Sequence, residues 1–347
     1  MDALTSPSPA TRDQAAAKLQ ALGPAAVPDL VRLLRTPDPF LARPARRVAR
    51  WLPAKANARL FRIINPLEAA AKRAAAAQAL RILGPGAHAA IPALSRALED
   101  DLTVAWYASL ALAQMGPDGL EALSTRLSTV PPIQCGYICY ALGTQGQSAS
   151  NATPNLVLLL EKDDPVISDK AATALGNMGR LGVPGLLRAS TNQHGHVRTL
   201  AIGALSRIGP LARDAIPRLV TMAKEDQPGV REAAVEALGQ VGPTSPAVTA
   251  ALTQALVDPV REVRLKAILA LGRSPAHSAS AVPELIGRLN DPSADVRGQA
   301  ASLLGEIAAP RETIISALGR ALKDENEVVR TKAGEALNRL RASPPRP

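Results

Sequence analysis

The feature that most constrains this chain is a repeat of constant length. Val-Arg followed by an Ala-rich stretch recurs as VRTLAIGALSRIG from Val197, VREAAVEALGQVG from Val230, VRLKAILALGR from Val263, VRGQAASLLGEI from Val296 and VRTKAGEALNRL from Val329. Arg198, Arg231, Arg264, Arg297 and Arg330 therefore follow one another at the same interval, thirty-three positions, every time. A chain with such a period builds one supersecondary unit per repeat and buries its core between stacked units. Aligned on the Leu seven positions after the Arg, degenerate copies continue upstream at Leu175, Leu142, Leu112, Leu80 and Leu19. Ten units result. The first interval, from Arg12 to Arg73, is the one abnormal step and is nearly two periods long.

Each unit reads as two helices. The first starts near Ile-Pro or Val-Pro, as in AIPRLVTMA from Ala215, because proline at the first helical position loses no useful hydrogen bond. An Asp-Pro turn, Asp258-Pro259 or Asp291-Pro292, closes it. The second helix opens with Glu262, Asp295 or Glu327, where a negative charge suits the helix dipole, and is expected to end at Leu-Gly. Gly-Pro at 84–85, 116–117, 209–210 and 242–243 serves as a stop signal. The expected fold is all-α: a right-handed α-solenoid of about ten two-helix repeats. Its expected divisions are a cap and first repeat over 1–36, an insertion over 37–67, the repeat array over 68–341 and a disordered tail over 342–347.

Composition agrees with a core of Ala, Leu, Ile and Val. Hydrophobic residues make up 47% of the chain but aromatics only 2%. The apolar fraction argues against a disordered chain, and no run approaches the roughly 18 apolar residues of a membrane span. The N-terminus has neither a basic nor an apolar leader region, and two cysteines make no disulfide framework, so the expected location is cytoplasmic.

The unit D-P-x-x-x-V-R-x-x-A-x-x-A-L-G-x-x-G-P, followed by A-I-P-x-L-x-x-x-L, resembles the HEAT repeat, and in particular the short bacterial form called phycobilisome-lyase HEAT-like. The resemblance covers nearly the whole chain except roughly 37–67 and the tails. It implies a binding surface, usually for another protein. HEAT-type deoxyhypusine hydroxylases hold iron with paired His-Glu motifs, and no His-Glu dipeptide occurs here. The Trp, Asp and Arg set of the DNA-glycosylase relatives has no placement in this sequence, and no catalytic residue matches the bilin lyases.

Chemistry-bearing clusters are few. Asp258, Asp291 and Asp324 lie six positions before Arg264, Arg297 and Arg330, so two oppositely charged columns are expected to pair between successive units. Cys135 and Cys139 share one helical face, but zinc wants four ligands, or three and water. The histidines, His88, His194, His196 and His277, fall in turns of separated repeats. No catalytic, cofactor or metal residues are assigned.

The insertion departs from the pattern. Residues 35–73 hold ten basic residues against Asp38 and Glu68, a net +8 out of +10 for the whole chain. Short amphipathic stretches set Arg43, Arg46, Arg47 and Arg50 against Trp51, and Lys55, Arg59 and Arg62 against apolar neighbours of Phe61. All seven aromatics lie between residues 40 and 140: Phe40, Trp51, Phe61, Trp106, Tyr107, Tyr137 and Tyr140. Trp106 and Tyr140 occupy positions that other repeats fill with Thr199, Glu232, Thr173 or Glu236, which marks them as solvent-facing. Either the insertion folds back over these aromatics, or the region binds a partner. The expected function is a non-enzymatic scaffold or adaptor, monomeric, that binds a protein with an acidic, partly apolar surface through these residues. Nucleic acid, attracted by the basic charge, and an anionic membrane surface are the alternatives.

Overall fold

The computed structural model describes residues 9–38, 66–162, 164–225, 227–307 and 311–342. Among them are nineteen α-helices and no strand. The odd-numbered helices are the second members of the pairs: α1 (Pro9–Leu22), α3 (Pro66–Leu83), α5 (Leu102–Ala113), α7 (Pro132–Thr144), α9 (Pro165–Asn177), α11 (Gly195–Ile208), α13 (Pro228–Val241), α15 (Arg261–Leu271), α17 (Ala294–Leu304) and α19 (Glu327–Ala342). Alternating with them are the first members, α2 (Val27–Leu34), α4 (Ile91–Ala97), α6 (Pro117–Arg126), α8 (Thr153–Leu160), α10 (Val183–Ala189), α12 (Ile216–Met222), α14 (Pro246–Ala255), α16 (Val282–Arg288) and α18 (Arg311–Ala321). The fold is an α-solenoid of helix pairs.

Two compact units divide the chain, Met1–Ala174 and Leu175–Pro347. In the second unit, α11 packs on α13, α13 on α15, α15 on α17 and α17 on α19. Small side chains permit this. Ala201, Ala204, Ala234, Ala237 and Ala267 are fully buried between Leu205, Leu238 and Val263. The glycine of Leu-Gly belongs to the same packing; Gly272 and Gly305 cap α15 and α17 as the sequence suggests, whereas α13 runs on past its own. Gly239 lies inside α13, and a Cβ there would stand 2.6 Å from Cβ of Ala270. In α11 the end comes from a later glycine: Gly209 closes the helix at φ 64°, a conformation that costs other residues energy.

The charged columns pair as expected, with a definite rule: each Arg from Arg198 to Arg297 reaches the acid of the following unit. Arg264 donates from Nε and Nη2 to Asp291 at 2.8 Å each, and from Nη1 to the carbonyls of Asp258 and Pro259. Arg231–Asp258 and Arg297–Asp324 repeat this forked geometry, and Arg198 meets Glu225 at 3.0 Å. Burial alone would raise the Asp258 and Asp291 carboxyls, but the arginine hydrogen bonds, a backbone N–H and the guanidinium charges together hold both below the usual range. Hydrogen bonding from Arg297 does the same for Asp324.

In the first unit α3 packs on α5 and α5 on α7. Its single rung among the described residues is Arg73, which reaches Asp100 at 2.7 Å and Asp38 at 2.8 Å.

Candidate interaction face

The charge ladder is interrupted between Arg73 and Arg198. Ala105, Cys135 and Ser168 occupy the arginine position there. Ser168 keeps one element of the motif, donating from Oγ to the Lys162 carbonyl at 2.9 Å. Cys135 donates to the Leu127 carbonyl instead. The aromatics of the first unit's repeats stand in this interval.

Asp101 caps α5, its carboxylate accepting the Thr103 N–H at 3.1 Å. Pro131 and Pro132 start α7. The inward faces bury Val104, Ala108 and Leu112 from α5, and Cys135, Ile138 and Leu142 from α7. What remains outward is aromatic and aliphatic. Trp106 meets Tyr137 edge-on, with ring centroids 5.3 Å apart and planes at 75°. It meets Tyr140 at 5.1 Å with planes at 36°. Each such pair contributes about 0.5–1.5 kcal/mol beyond its buried area. Leu102 and Ile133, at the N-terminal turns of the two helices, are also exposed.

Among the second helices, α5 and α7 alone contain no charged residue. Neither the Trp106 indole N–H nor the Tyr137 and Tyr140 hydroxyls have a hydrogen-bond partner among the described residues. The face thus combines apolar ring surface, polar tips without internal partners and no net charge.

Of the thirteen residues singled out by sequence, Trp106, Tyr137 and Tyr140 form this cluster. Tyr107 is half-buried and takes no part in the ring contacts. Arg43, Arg46, Arg47, Arg50, Trp51, Lys55, Arg59, Phe61 and Arg62 lie outside the described residues. Tyr140 is 53% exposed, but Trp106 is half-buried rather than solvent-facing, because the next repeat's tyrosines cover it. The equivalent positions in other repeats, Thr199 and Glu232, are half-buried for the same reason: successive second helices lie side by side. Ile133 and Leu102 went unnoticed in the sequence, although the absence of charge in two successive second helices was a readable signal.

Beneath the aromatics, Cys135 and Cys139 are both buried. Their mutual hydrogen bond and burial push the Cys139 thiol well above its ordinary range, so it stays protonated. No group of three or more His, Cys, Asp or Glu residues able to hold a metal occurs among the described residues. His196 sits in the first turn of α11 and not in a loop, with its ring 5.8 Å from that of His194. No helix among the described residues is long and apolar enough to cross a membrane.

The family model for HEAT repeats matches residues 153–238, 183–272 and 282–346, together more than half of the chain. The model for the PBS lyase HEAT-like repeat matches residues 72–100. No curated protein matches the sequence. Among solved structures, the chain is similar to an engineered protein at 22% identity, covering 92% of this chain and 99% of that one, with a TM-score of 0.49. Human deoxyhypusine hydroxylase in complex with glycerol is similar at 24% identity over 74% of this chain and 97% of that one, with a TM-score of 0.33. The karyopherin Kap121p, bound to the extreme C-terminus of the protein phosphatase Cdc14p, matches at 15% identity and a TM-score of 0.59. That match covers 91% of this chain and 42% of the karyopherin. With the helix pairs, the constant repeat period and the family models in agreement, the chain belongs to the HEAT-repeat family.

Proposed function

We propose that this chain is a non-enzymatic scaffold that binds a protein partner through its N-terminal unit, with the α5–α7 face as the apolar part of the contact. One observation carries this reading: two of the three repeats that give up the buried Arg–Asp rung place Trp106, Tyr137 and Tyr140 on adjacent uncharged helices. Tryptophan and tyrosine are the residues on which binding energy concentrates, since each offers large rigid area and a polar tip. HEAT repeats commonly mediate protein interactions, and the karyopherin with a related fold is described with the end of another protein bound. Residues 39–65 add seven basic side chains and no acidic one, which suits a partner whose surface is acidic beside its apolar patch.

The test is partner capture by four proteins: wild type, Tyr140→Ala, Trp106→Ala, and a variant lacking residues 39–65. Tyr140→Ala leaves the fold intact, because the side chain is 53% exposed, and is expected to weaken capture at least about tenfold. Equal capture by all four would overturn the proposal. Retention of nucleic acid, with affinity falling steeply as salt rises, or sedimentation with anionic but not neutral vesicles, would replace it with another class of partner.

A further inference from the structure

Resting on that reading, we infer that what the partner presents to the α5–α7 face is an uncharged, proline-rich segment in the polyproline II conformation. The inference comes from what the face offers and what it lacks. Proteins recognise peptides in a handful of ways, each requiring a different surface. Strand addition needs a sheet edge, and the described residues contain no strand. Phosphorylated or acidic motifs need clustered arginine, and neither α5 nor α7 carries any charged side chain. A docked helix pairs its own carbonyls except in its last turn, so along its length it would offer few main-chain acceptors to the Trp106 N–H or the Tyr137 and Tyr140 hydroxyls.

A polyproline II segment has the complementary requirement. It makes no internal hydrogen bonds, so its carbonyls project outward and need donors. Its pyrrolidine rings are apolar and rigid, and they pack on aromatic faces. The face supplies both terms. Trp106, at 5.3 and 5.1 Å from Tyr137 and Tyr140, makes a ridge of three rings from two adjacent helices. Three hydrogen-bond donors stand at its edge with no partner among the described residues. Gly136, next to Tyr137, is covered by the stem of Lys170 from α9, whose Cγ would stand 3.6 Å from an added Cβ and whose ammonium pairs with Asp169 at 3.1 Å. A charged segment would lose its hydration at this face and gain no ion pair from α5 or α7 in return. Proline-rich segments also enter with little conformational entropy to lose, which matters on a face built from only three rings.

The experiment uses full-length protein carrying Trp51→Phe, which leaves Trp106 as the single indole. Its fluorescence is titrated with blocked decaproline and with a blocked, uncharged helical peptide of equal length. Decaproline is expected to give a saturable change that shifts less than about twofold in midpoint between low and high salt, since no ion pair forms. Tyr140→Phe keeps the ring and removes the donor, and should weaken binding roughly three- to tenfold, the worth of one neutral hydrogen bond. Tyr140→Ala should weaken it further. Absence of saturable binding, equal response to the helical peptide, or indifference to Tyr140→Phe each overturns the inference. If a captured partner is lost on Tyr140→Ala yet is not displaced by decaproline, the inference fails while the scaffold reading stands; if Tyr140→Ala changes no capture at all, both fail.

Discussion

Replacing Asp291 with alanine tests the idea that the solenoid's second unit is held in register by buried ion pairs. The Asp291 side chain is fully buried and takes Nε and Nη2 of Arg264 at 2.8 Å each, Nη1 of Arg288 at 3.2 Å and the Ser293 N–H at 3.0 Å. After Asp291→Ala, Arg264 keeps the carbonyls of Asp258 and Pro259 on Nη1 but loses both bonds from its other edge. Its side chain is 10% exposed, so water cannot replace them. Orphaning one half of a buried pair costs about 3–5 kcal/mol. The double variant Arg264→Met with Asp291→Ala removes the orphan. It should recover to within about 1–2 kcal/mol of wild type, since what is then missing is ordinary hydrogen bonding at two carbonyls and one N–H, and the contact of Arg288, whose side chain is 24% exposed and reaches water. A double-mutant cycle by urea unfolding, followed by far-UV circular dichroism at neutral pH, should therefore return a coupling of about 2 kcal/mol or more. A single variant within about 1 kcal/mol of wild type, or a double variant that costs the sum of the two singles, would refute the reasoning.

Three further outcomes follow from the same geometry. Asp258, Asp291 and Asp324 titrate below the unfolded value of about 3.9, so their contribution is complete above that pH and is lost as pH falls through the lower folded values; thermal midpoints that stay flat or rise from about pH 4 to 2 would contradict this. Gly239→Ala should destabilise by about 1–3 kcal/mol despite its better helix propensity, because the new Cβ meets Ala270 at 2.6 Å, and a raised melting temperature would show the packing argument wrong. Arg330 donates to the Asp324 and Glu325 carbonyls and has no carboxylate partner among the described residues, so Arg330→Met should cost at least about 2 kcal/mol less than Arg297→Met in paired urea titrations.

The architecture was readable because it is periodic. An even spacing of Val-Arg leaves one solution, and the structure supplies helix pairs at each step. Partner choice within the ladder was less visible, since an acid that precedes one Arg closely and follows another at a distance belongs to both. The geometry divides the labour: the Asp258 backbone carbonyl serves its own unit's Arg264, and the Asp258 side chain serves Arg231 of the unit before. The Leu-Gly signal held at Gly272 and Gly305 but misled at Gly239, for a related reason. A local signal cannot separate a helix stop from a close approach, and at Gly239 the deciding atom belongs to Ala270, one repeat away. Trp106 was legible as a departure from the repeat but not as half-buried, because its cover comes from Tyr137 and Tyr140 of the next unit.

The gap in the ladder is a second design rather than decay. Had the arginines alone been lost, buried carboxylates would remain in the turns; had the acids alone been lost, buried guanidiniums would remain. Either remnant costs several kcal/mol. Here both columns change together. The arginine position holds Ala105, Cys135 and Ser168, all of them fully buried or nearly so, while the turn six positions before the next site holds Thr129, Lys162 and Asn192 in place of an acid. These repeats are therefore held together by apolar packing and need no buried ion pair. Released from that constraint, α5 and α7 carry no charge at all and hold three touching aromatic rings, two half-buried and Tyr140 exposed. An exposed aromatic on one repeat would be a chance substitution. Aromatics on two adjacent repeats touch each other here, their polar tips lack partners among the described residues, and neither repeat has an arginine at the ladder position. That agreement is the ground on which the binding face is proposed.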